Sequence, residues 1–270
     1  MTIDSAINRD ALRIATPADL RHYVRSRKWT DNTVGLATGY TQTNLVILPA
    51  DYAFEFLLFA TRNPRPCPII DVTEIGSFIP QLAAPGADLR FDVPRYRVYE
   101  QGRLVEETLS IEHRWRDDLV GFLIGCSYTF EHALVQAGVA LRHVQEGRNV
   151  PMFRTSVACV PAGRFHGPLV VSMRPIKADQ VSRAVQITSR YPLAHGAPIW
   201  VGNPERLGIR SIDDPDWGES IDIRDDETPA FWACGVTPQA VAMQSAPPLM
   251  ITHAPGHMFV TDIPIRDLES

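Results

Sequence analysis

The stretch "ITHAPGHMFVTD", residues 251–262, contains two histidines four positions apart, His253 and His257. On a helix this spacing would present both imidazole rings to one metal ion. The Pro255-Gly256 pair between them interrupts a helix, because proline lacks an N–H and disfavours helical geometry in the residue before it. Apolar and β-branched residues flank the pair on both sides, so the sequence predicts a strand, a tight turn and a second strand.

The two histidines have three interpretations. Imidazole titrates near neutral pH, so they are candidates for a general base and a general acid, with His253 favoured as the base and His257 as the acid. A metal pair is the second interpretation. In the third, the two rings hydrogen-bond the loop backbone and have only a structural role.

A zinc site would need a third protein ligand, and the neighbouring sequence supplies neither a cysteine nor another histidine. We therefore expect catalysis without a metal ion and without any other cofactor. Activity should survive treatment with a chelator. Recovery of stoichiometric zinc, iron or manganese from the purified protein, together with loss of activity to the chelator, would contradict this prediction.

A second group of candidate residues lies in "GCSYTFEHAL", residues 125–134, directly after an apolar run. Cys126 and Ser127 fall at a predicted strand-to-helix turn, where free backbone amides can hold a carboxylate or an oxyanion. Thr237 opens a similar turn. Glu131 is an alternative general acid. Cys126 is a candidate nucleophile, although a free cysteine is more often a small buried apolar residue.

Three arginines lie inside otherwise apolar stretches, namely Arg154, Arg174 and Arg190. A guanidinium group binds a carboxylate through two parallel hydrogen bonds, so the three indicate a small acidic substrate, with Arg174 as its anchor. The alternative for each arginine is an internal salt bridge to an acidic residue. His195, on a tight turn of the same region, is a further substrate-binding candidate.

Composition excludes several classes of protein. The chain has 270 residues, 45% of them hydrophobic and 21% charged, and a net charge of -5, which gives no basis for binding nucleic acid. No apolar run approaches the roughly 18 residues that span a bilayer, and "MTIDSAINRD" lacks a signal pattern. We expect a cytoplasmic protein with reduced cysteines and no membrane partner. The oligomeric state stays open, and a homo-oligomer is allowed.

Local signals predict parts of the scaffold. Thr16 and Pro17 have the residue types of a helix N-cap and first helical position, and a second helix is predicted from Pro49. The stretch "RYRVYEQGRLVEE" alternates on both sides of Gln101-Gly102, which predicts a hairpin with a two-residue turn.

Apolar runs that end at a turn and lead into a helix are typical of parallel sheets. The predicted fold class is α/β, with a mixed, partly parallel sheet flanked by helices and a smaller two-layer α+β domain inserted. The main domain would be discontinuous, comprising residues 1–148 and 216–270. The inserted layer would comprise residues 149–215.

Seven segments in order along the chain resemble the hydro-lyase family related to D-glutamate cyclase. They are "RPCPIIDVTE", "GCSYTFEHAL", "NVPMFRTS", "GPLVVSMRPI", "TSRYPLAHGAPIWVGNPERLGI", "FWACGVTPQ" and "THAPGHMFVTD". The resemblance extends from about residue 16 to residue 264. It implies a two-part α/β fold and elimination of water from a small acid. The cyclase converts D-glutamate to 5-oxo-D-proline. The alternative is a non-catalytic protein that binds or senses an amino or hydroxy acid.

Overall fold

The structure is a computed structural model that describes residues 8–270. Its helices are α1 (Arg9–Arg13), α2 (Pro17–Arg25), α3 (Ala50–Arg62), α4 (Tyr128–Gln136), α5 (Arg142–Glu146), α6 (Val181–Ser189) and α7 (Thr237–Ser245). Its strands are β1 (Tyr40–Pro49), β2 (Ile69–Val72), β3 (Tyr96–Glu100), β4 (Arg103–Thr108), β5 (Leu119–Gly125), β6 (Met152–Ala158), β7 (Pro168–Lys177), β8 (Trp200–Val201), β9 (Glu227–Ala233), β10 (Met250–His253) and β11 (Phe259–Pro264). Within residues 8–270, no helix is long and apolar enough to cross a membrane.

The predicted scaffold elements are confirmed. Thr16 caps α2 by accepting a hydrogen bond from the backbone N–H of Asp19 at 3.2 Å. Helix α3 begins directly after Pro49. In the β3–β4 hairpin, Gln101 and Gly102 have φ values of 50° and 76°. Two positive φ values in a two-residue loop give the turn type whose twist matches that of the flanking strands.

The strands form two sheets. The larger has the order β2-β5-β1-β10-β3-β4, and β11 also pairs with β1. Strand β1 is therefore central, with β5 on one side and both β10 and β11 on the other. The smaller sheet has the order β6-β7-β9-β8.

The predicted combination of helices with two sheets is confirmed, but the predicted parallel pairing is wrong. Every strand pair within residues 8–270 is antiparallel. Helix α4 leads from β5 in the larger sheet towards β6 in the smaller one, and α7 leads from β9 back to β10. Both helices thus connect different sheets, so neither makes a parallel crossover within one sheet.

The smaller sheet draws on more of the chain than residues 149–215. Strand β9 lies beyond residue 215 and pairs with β7 over seven residues, from Val171 opposite Ala233 to Lys177 opposite Glu227. The division into a main domain of residues 1–148 and 216–270 and an insert stays a prediction.

Both faces of the larger sheet are covered by core residues. Along β1, Leu45 and Ile47 belong to one apolar cluster and Val46 and Leu48 to another. Because successive side chains of a strand point to opposite faces, both faces of β1 are buried. A strand buried on both faces has a continuous apolar sequence, which is the pattern usually found in parallel sheets. Strand β5 is buried along its whole length in the same way, and its apolar run into a turn and a helix was one basis of the wrong prediction of parallel pairing.

Candidate functional site

The segment between the two histidines forms a tight turn. Pro255 occupies its second position and Gly256 its third, with a φ of 82°, and the His257 N–H donates to the Ala254 carbonyl at 2.9 Å. A type II turn requires positive φ at the third position, which only glycine adopts without strain. Strands β10 and β11 flank the turn, so the predicted strand-turn-strand layout is confirmed.

Thr33 fixes the turn to the rest of the molecule. Its backbone N–H donates to the Gly256 carbonyl at 2.9 Å, and its hydroxyl oxygen accepts from the Met258 N–H at 3.0 Å. Asn149 packs against the other side, since a Cβ on Gly256 would lie 2.9 Å from the Asn149 Nδ2 atom. The backbone around His257 is therefore held in one conformation before any ligand binds.

The ring of His257 has one nitrogen occupied and one available. Its Nδ1 atom lies 3.0 Å from the Pro255 carbonyl oxygen, so Nδ1 carries the proton and donates it. The Nε2 atom of the neutral ring is then free to accept a proton. Burial lowers the pKa of His257, and the hydrogen bond to Pro255 opposes this only in part. At neutral pH, His257 is thus suited to act as a base.

His257 lines an open cleft of ≈ 490 Å³, within the usual size range for small-molecule sites. We call it the His257 cleft, and its other charged or polar lining residues are Arg95, Arg97, Glu107, Asn149, Asp216, Trp217 and Glu219. Glu107 accepts hydrogen bonds from Arg97 Nε at 3.0 Å and from Arg95 Nη1 at 3.3 Å. Arg95, Arg97 and Glu107 together carry one positive charge, which can bind a carboxylate, while Asp216 and Glu219 make the lining as a whole net negative.

Arg95 and Arg97 were missed by the sequence analysis. They are two positions apart at the start of β3, and this spacing directs both side chains to one face of a strand. A pair of arginines at that spacing was the signal that could have identified them.

His253 occupies a different environment. Its Nδ1 atom accepts a hydrogen bond from the Leu45 backbone N–H at 3.1 Å, so the proton of the neutral ring is on Nε2. Within residues 8–270 the Nε2 atom has no hydrogen-bond partner, although the side chain is buried. Burial lowers the pKa of His253 to about 3. These features disfavour His253 as a base and suit it to donate a hydrogen bond. A catalytic role for His253 stays a prediction.

Two buried histidines should make the stability of the fold depend on pH. Burial lowers the pKa of His253 to about 3 and that of His195 to about 4, against an ordinary value of about 6.5. Below pH 6.5 the unfolded chain binds protons that the native protein does not. Stability is therefore full above pH 6.5 and is lost as the pH falls towards the native pKa values, by about 2 kcal/mol per histidine between pH 7 and pH 5.

Urea unfolding of the wild type and of His253→Gln at pH 7 and pH 5 would measure this dependence. The variant should lose the contribution of His253, about 2 kcal/mol, and keep those of His195 and His257, whose pKa values burial also lowers. His166→Gln, at an exposed histidine, is the matched control and should behave as the wild type. A pH effect that is equally large in His253→Gln would contradict the prediction.

A second polar group is buried in the core and is built around Arg174, which has 0% exposure. The guanidinium donates to Glu131 Oε1 from Nε at 2.9 Å, to Ser127 Oγ at 2.8 Å and to Ser172 Oγ at 3.0 Å. His143 Nε2 lies 2.9 Å from the same Glu131 oxygen. We call these five residues the Arg174 cluster. The internal salt bridge considered for each arginine is present here.

The charge state of Glu131 follows from this cluster. Burial raises the pKa of Glu131, but the charges of His143 and Arg174 and their hydrogen bonds outweigh it and lower the pKa to about 2. Glu131 is therefore ionised at neutral pH and has no proton to donate. This disfavours Glu131 as the general acid.

Two other candidates sit at the predicted strand-to-helix turns. Cys126 is buried after β5, and burial raises the pKa of its thiol, which keeps it protonated and weakly nucleophilic. The Thr237 hydroxyl donates to the Cys234 carbonyl at 2.7 Å and accepts from the Val170 N–H at 3.1 Å. Thr237 thus joins the start of α7 to the smaller sheet.

The structure separates the remaining predicted binding residues. His195 is buried, with Nδ1 2.7 Å from the Arg65 carbonyl, and the charge of Arg174 is close enough to contribute to its lowered pKa. Arg190 pairs with Glu269. Arg154 is exposed and lies 5.2 Å from the ring of Trp217 at the His257 cleft.

The three arginines therefore do not converge on one site.

Metal ligation was the second interpretation of the paired histidines. Across residues 8–270, no three His, Cys, Asp or Glu side chains are arranged so that they could hold a metal ion.

Comparison with known proteins identifies the family to which this chain belongs. The family model described as D-glutamate cyclase matches residues 120–262, more than half of the chain. The chain belongs to the D-glutamate cyclase family. The matched region includes the Arg174 cluster and the turn that carries His257. The family resemblance predicted from the sequence is confirmed.

Three curated relatives are named "Putative hydro-lyase". One from Geobacillus kaustophilus is 60% identical over 91% of this chain and 93% of its own length. One from Stutzerimonas stutzeri is 56% identical over 95% of this chain and 97% of its own length. One from Bacillus subtilis, with the further designation YcsI, is 56% identical over 92% of this chain and 96% of its own length.

Among solved structures, a nitrogen repressor-like protein from Methanococcus jannaschii is similar at a TM-score of 0.38 and 9% identity, over 90% of this chain and 97% of that one. A similarity at that level supports no conclusion about function.

Proposed function

We propose that this protein is a lyase that eliminates water from a small carboxylate bound in the His257 cleft. The finer proposal is that the reaction is the cyclisation of D-glutamate to 5-oxo-D-proline. Membership of the D-glutamate cyclase family and the names of the relatives support the reaction class. The observation that carries the choice of site is the neutral His257, whose Nε2 is free beside two arginines.

The arginines would bind the carboxylate of the substrate. Arg95 and Arg97 share Glu107, so the three groups together carry one positive charge, which one substrate carboxylate neutralises. A guanidinium has five N–H donors, and the contacts with Glu107 use only part of that capacity. Glu107 thereby orients both guanidinium groups without occupying them fully.

Cyclisation of glutamate moves two protons. The ammonium group must lose one to become a nucleophile, and the amine loses a second when it forms the amide bond with the side-chain carboxyl carbon. The departing carboxyl oxygen takes up both protons and leaves as water, so the reaction is balanced. His257 Nε2 can accept each proton from nitrogen and return it to the departing oxygen. Holding the amine and the carboxyl group together supplies a further part of the rate.

A small hydroxy acid is the alternative substrate. His257 would then remove the proton next to the carboxylate and return it to the departing hydroxyl group. The same cleft serves both reactions, because both need a neutral base and a bound carboxylate.

The proposal is tested by a turnover screen of the purified chain with D-glutamate, L-glutamate and small hydroxy acids, with products detected by NMR. We expect a dehydrated product from at least one of them. Binding of these acids without turnover would contradict the lyase proposal and favour the alternative of a binding protein.

Arg97→Gln should raise KM about 10- to 100-fold on the substrate found, because a charge-assisted hydrogen bond contributes about 1.5–3 kcal/mol. Arg103→Gln changes an exposed arginine of the adjacent strand β4 and is the matched control. It should leave KM unchanged. Equal KM values for Arg97→Gln and the wild type would exclude carboxylate binding by Arg97.

A further inference from the structure

A second cavity shares no lining residue with the His257 cleft. It has a volume of ≈ 100 Å³ and lies between residues 35–42 and helix α4. We call it the Gln42 cavity. We propose that it is a binding site for a small amino acid, with the ammonium group held by Gln42 and Glu131 and the carboxylate at the rim by Arg13. This inference goes beyond the proposed function, since it concerns a separate site.

Gln42 is the first observation that points to a ligand. The residue lines the cavity and is 4% exposed. Its Nε2 donates to the carbonyls of Thr33 at 2.9 Å and Leu36 at 3.1 Å, and these two bonds fix the orientation of the side-chain amide. No group within residues 8–270 donates to Gln42 Oε1. A buried acceptor without a partner is costly, so a ligand that donates a hydrogen bond there is favoured.

Glu131 supplies a second acceptor. The hydrogen bonds that Glu131 accepts from Arg174 and His143 all go to its Oε1 atom. Its Oε2 atom receives none from the described part of the chain, and Glu131 lines the Gln42 cavity. The carboxylate is ionised for the reasons given above and Arg174 supplies its main counter-charge, which leaves Oε2 as a strong acceptor for an N–H donor.

Tyr128 also lines the cavity. Its hydroxyl donates its proton to Asn149 Oδ1 at 2.8 Å, which leaves the phenol oxygen as an acceptor. A primary ammonium group has three N–H donors and no acceptor. The acceptors on Gln42 and Glu131, the second of them charged, therefore match an ammonium group better than a carboxylate.

The rim and the walls define the rest of the ligand. Arg13 lines the cavity and forms no salt bridge with any acidic group in residues 8–270. A carboxylate on the ligand would provide that partner. Leu36, Val135 and Ile265 contribute aliphatic surface to the lining. This order of charges, with a cation inside and an anion outside, is that of a small zwitterionic amino acid.

The test is an NMR titration of the ¹⁵N-labelled full-length chain with glycine, methylammonium and acetate. Glycine should produce saturable shifts at the Gln42 side-chain amide and at the backbone amides of residues 35–39. Methylammonium should bind the same place more weakly, and acetate should not bind there. Shifts confined to residues 254–257, or no saturable shift with glycine, would overturn the proposal.

Variants decide whether the cavity itself is responsible. Val135→Trp enlarges a residue that is 50% exposed, so it blocks the rim without removing a core contact, and it should weaken glycine binding at least tenfold. Val160→Trp is the matched control, at a valine that is 53% exposed and outside the cavity. Glycine binding that is unchanged in Val135→Trp would overturn the proposal.

Two further variants test the role of Arg13 and the independence of the two sites. Arg13→Gln should weaken glycine binding and leave methylammonium binding unchanged, since only glycine has a carboxylate. His257→Ala should not change glycine binding at the Gln42 cavity. If His257→Ala abolishes turnover while glycine still binds, both proposals are supported. Loss of glycine binding in His257→Ala would overturn the existence of a separate site.

Discussion

Replacing His257 by alanine is expected to lower kcat for water elimination by about two to four powers of ten, the usual loss when a general base is removed. The variant should stay folded, because the turn around residue 257 is held by backbone hydrogen bonds and by Thr33. Steady-state kinetics on the substrate found in the turnover screen, with circular dichroism to confirm folding, would measure the effect.

The matched control is His166→Ala. His166 is exposed, and its Nδ1 also lies close to a local backbone carbonyl, that of Arg164 at 3.1 Å. This variant should retain wild-type kcat. His253→Ala discriminates between the two histidines, since a larger loss there than in His257→Ala would mean that His253 is the base. Because burial lowers the pKa of His257, the midpoint for loss of wild-type kcat/KM should lie below the ordinary histidine pKa of about 6.5.

Replacing Arg174 by methionine should destabilise the fold by about 3–5 kcal/mol, because it leaves the buried Glu131 carboxylate without its main counter-charge. Ser127 and Ser172 lose a donor in the same variant. Urea unfolding at neutral pH would measure the change. The double variant Arg174→Met, Glu131→Leu should recover a large part of the loss, since it removes the unpaired charge as well.

Arg116→Met is the control for the Arg174 prediction. Arg116 pairs with Asp118 at 2.8 Å, but both side chains are about half exposed, so the cost should be at most about 1 kcal/mol. A loss equally small in Arg174→Met would contradict the prediction. Arg174→Lys tests the earlier hypothesis of substrate binding: a KM that rises more than kcat falls would support it, and an unchanged KM in a folded variant would mark a structural ion pair.

Local structure could be predicted from the sequence wherever a single residue type restricts the backbone. Pro17 after Thr16, Gly102 after Gln101 and Gly256 after Pro255 each specify a cap or a turn through their own steric limits. Strand pairing could not be predicted in the same way. The apolar sequence of β1 fits a parallel or an antiparallel neighbour equally well, and only long-range packing selects between them.

The same distinction between local and long-range information applies to the candidate site. His257 was identified by its residue type, but its suitability as a base depends on which ring nitrogen meets a carbonyl, which is a property of the folded turn. Arg95 and Arg97 were assigned to a scaffold hairpin, because the alternating pattern around Gln101-Gly102 accounts for their positions without any functional role. Arg174 and Glu131 are 43 residues apart, and no local pattern indicates that one neutralises the other.

The position of β1 also has a consequence for how the protein is made. Strand β1 ends at residue 49, but β10 and β11, which cover one whole side of it, begin only at residues 250 and 259. A ribosome adds about 5–20 residues per second, so the intervening segment takes about 10–40 s to synthesise. During that time the central strand has an unpaired apolar edge, which is a site for aggregation. The larger sheet can therefore close only after residues 250–264 have been synthesised, and a nascent chain should depend on chaperones until then.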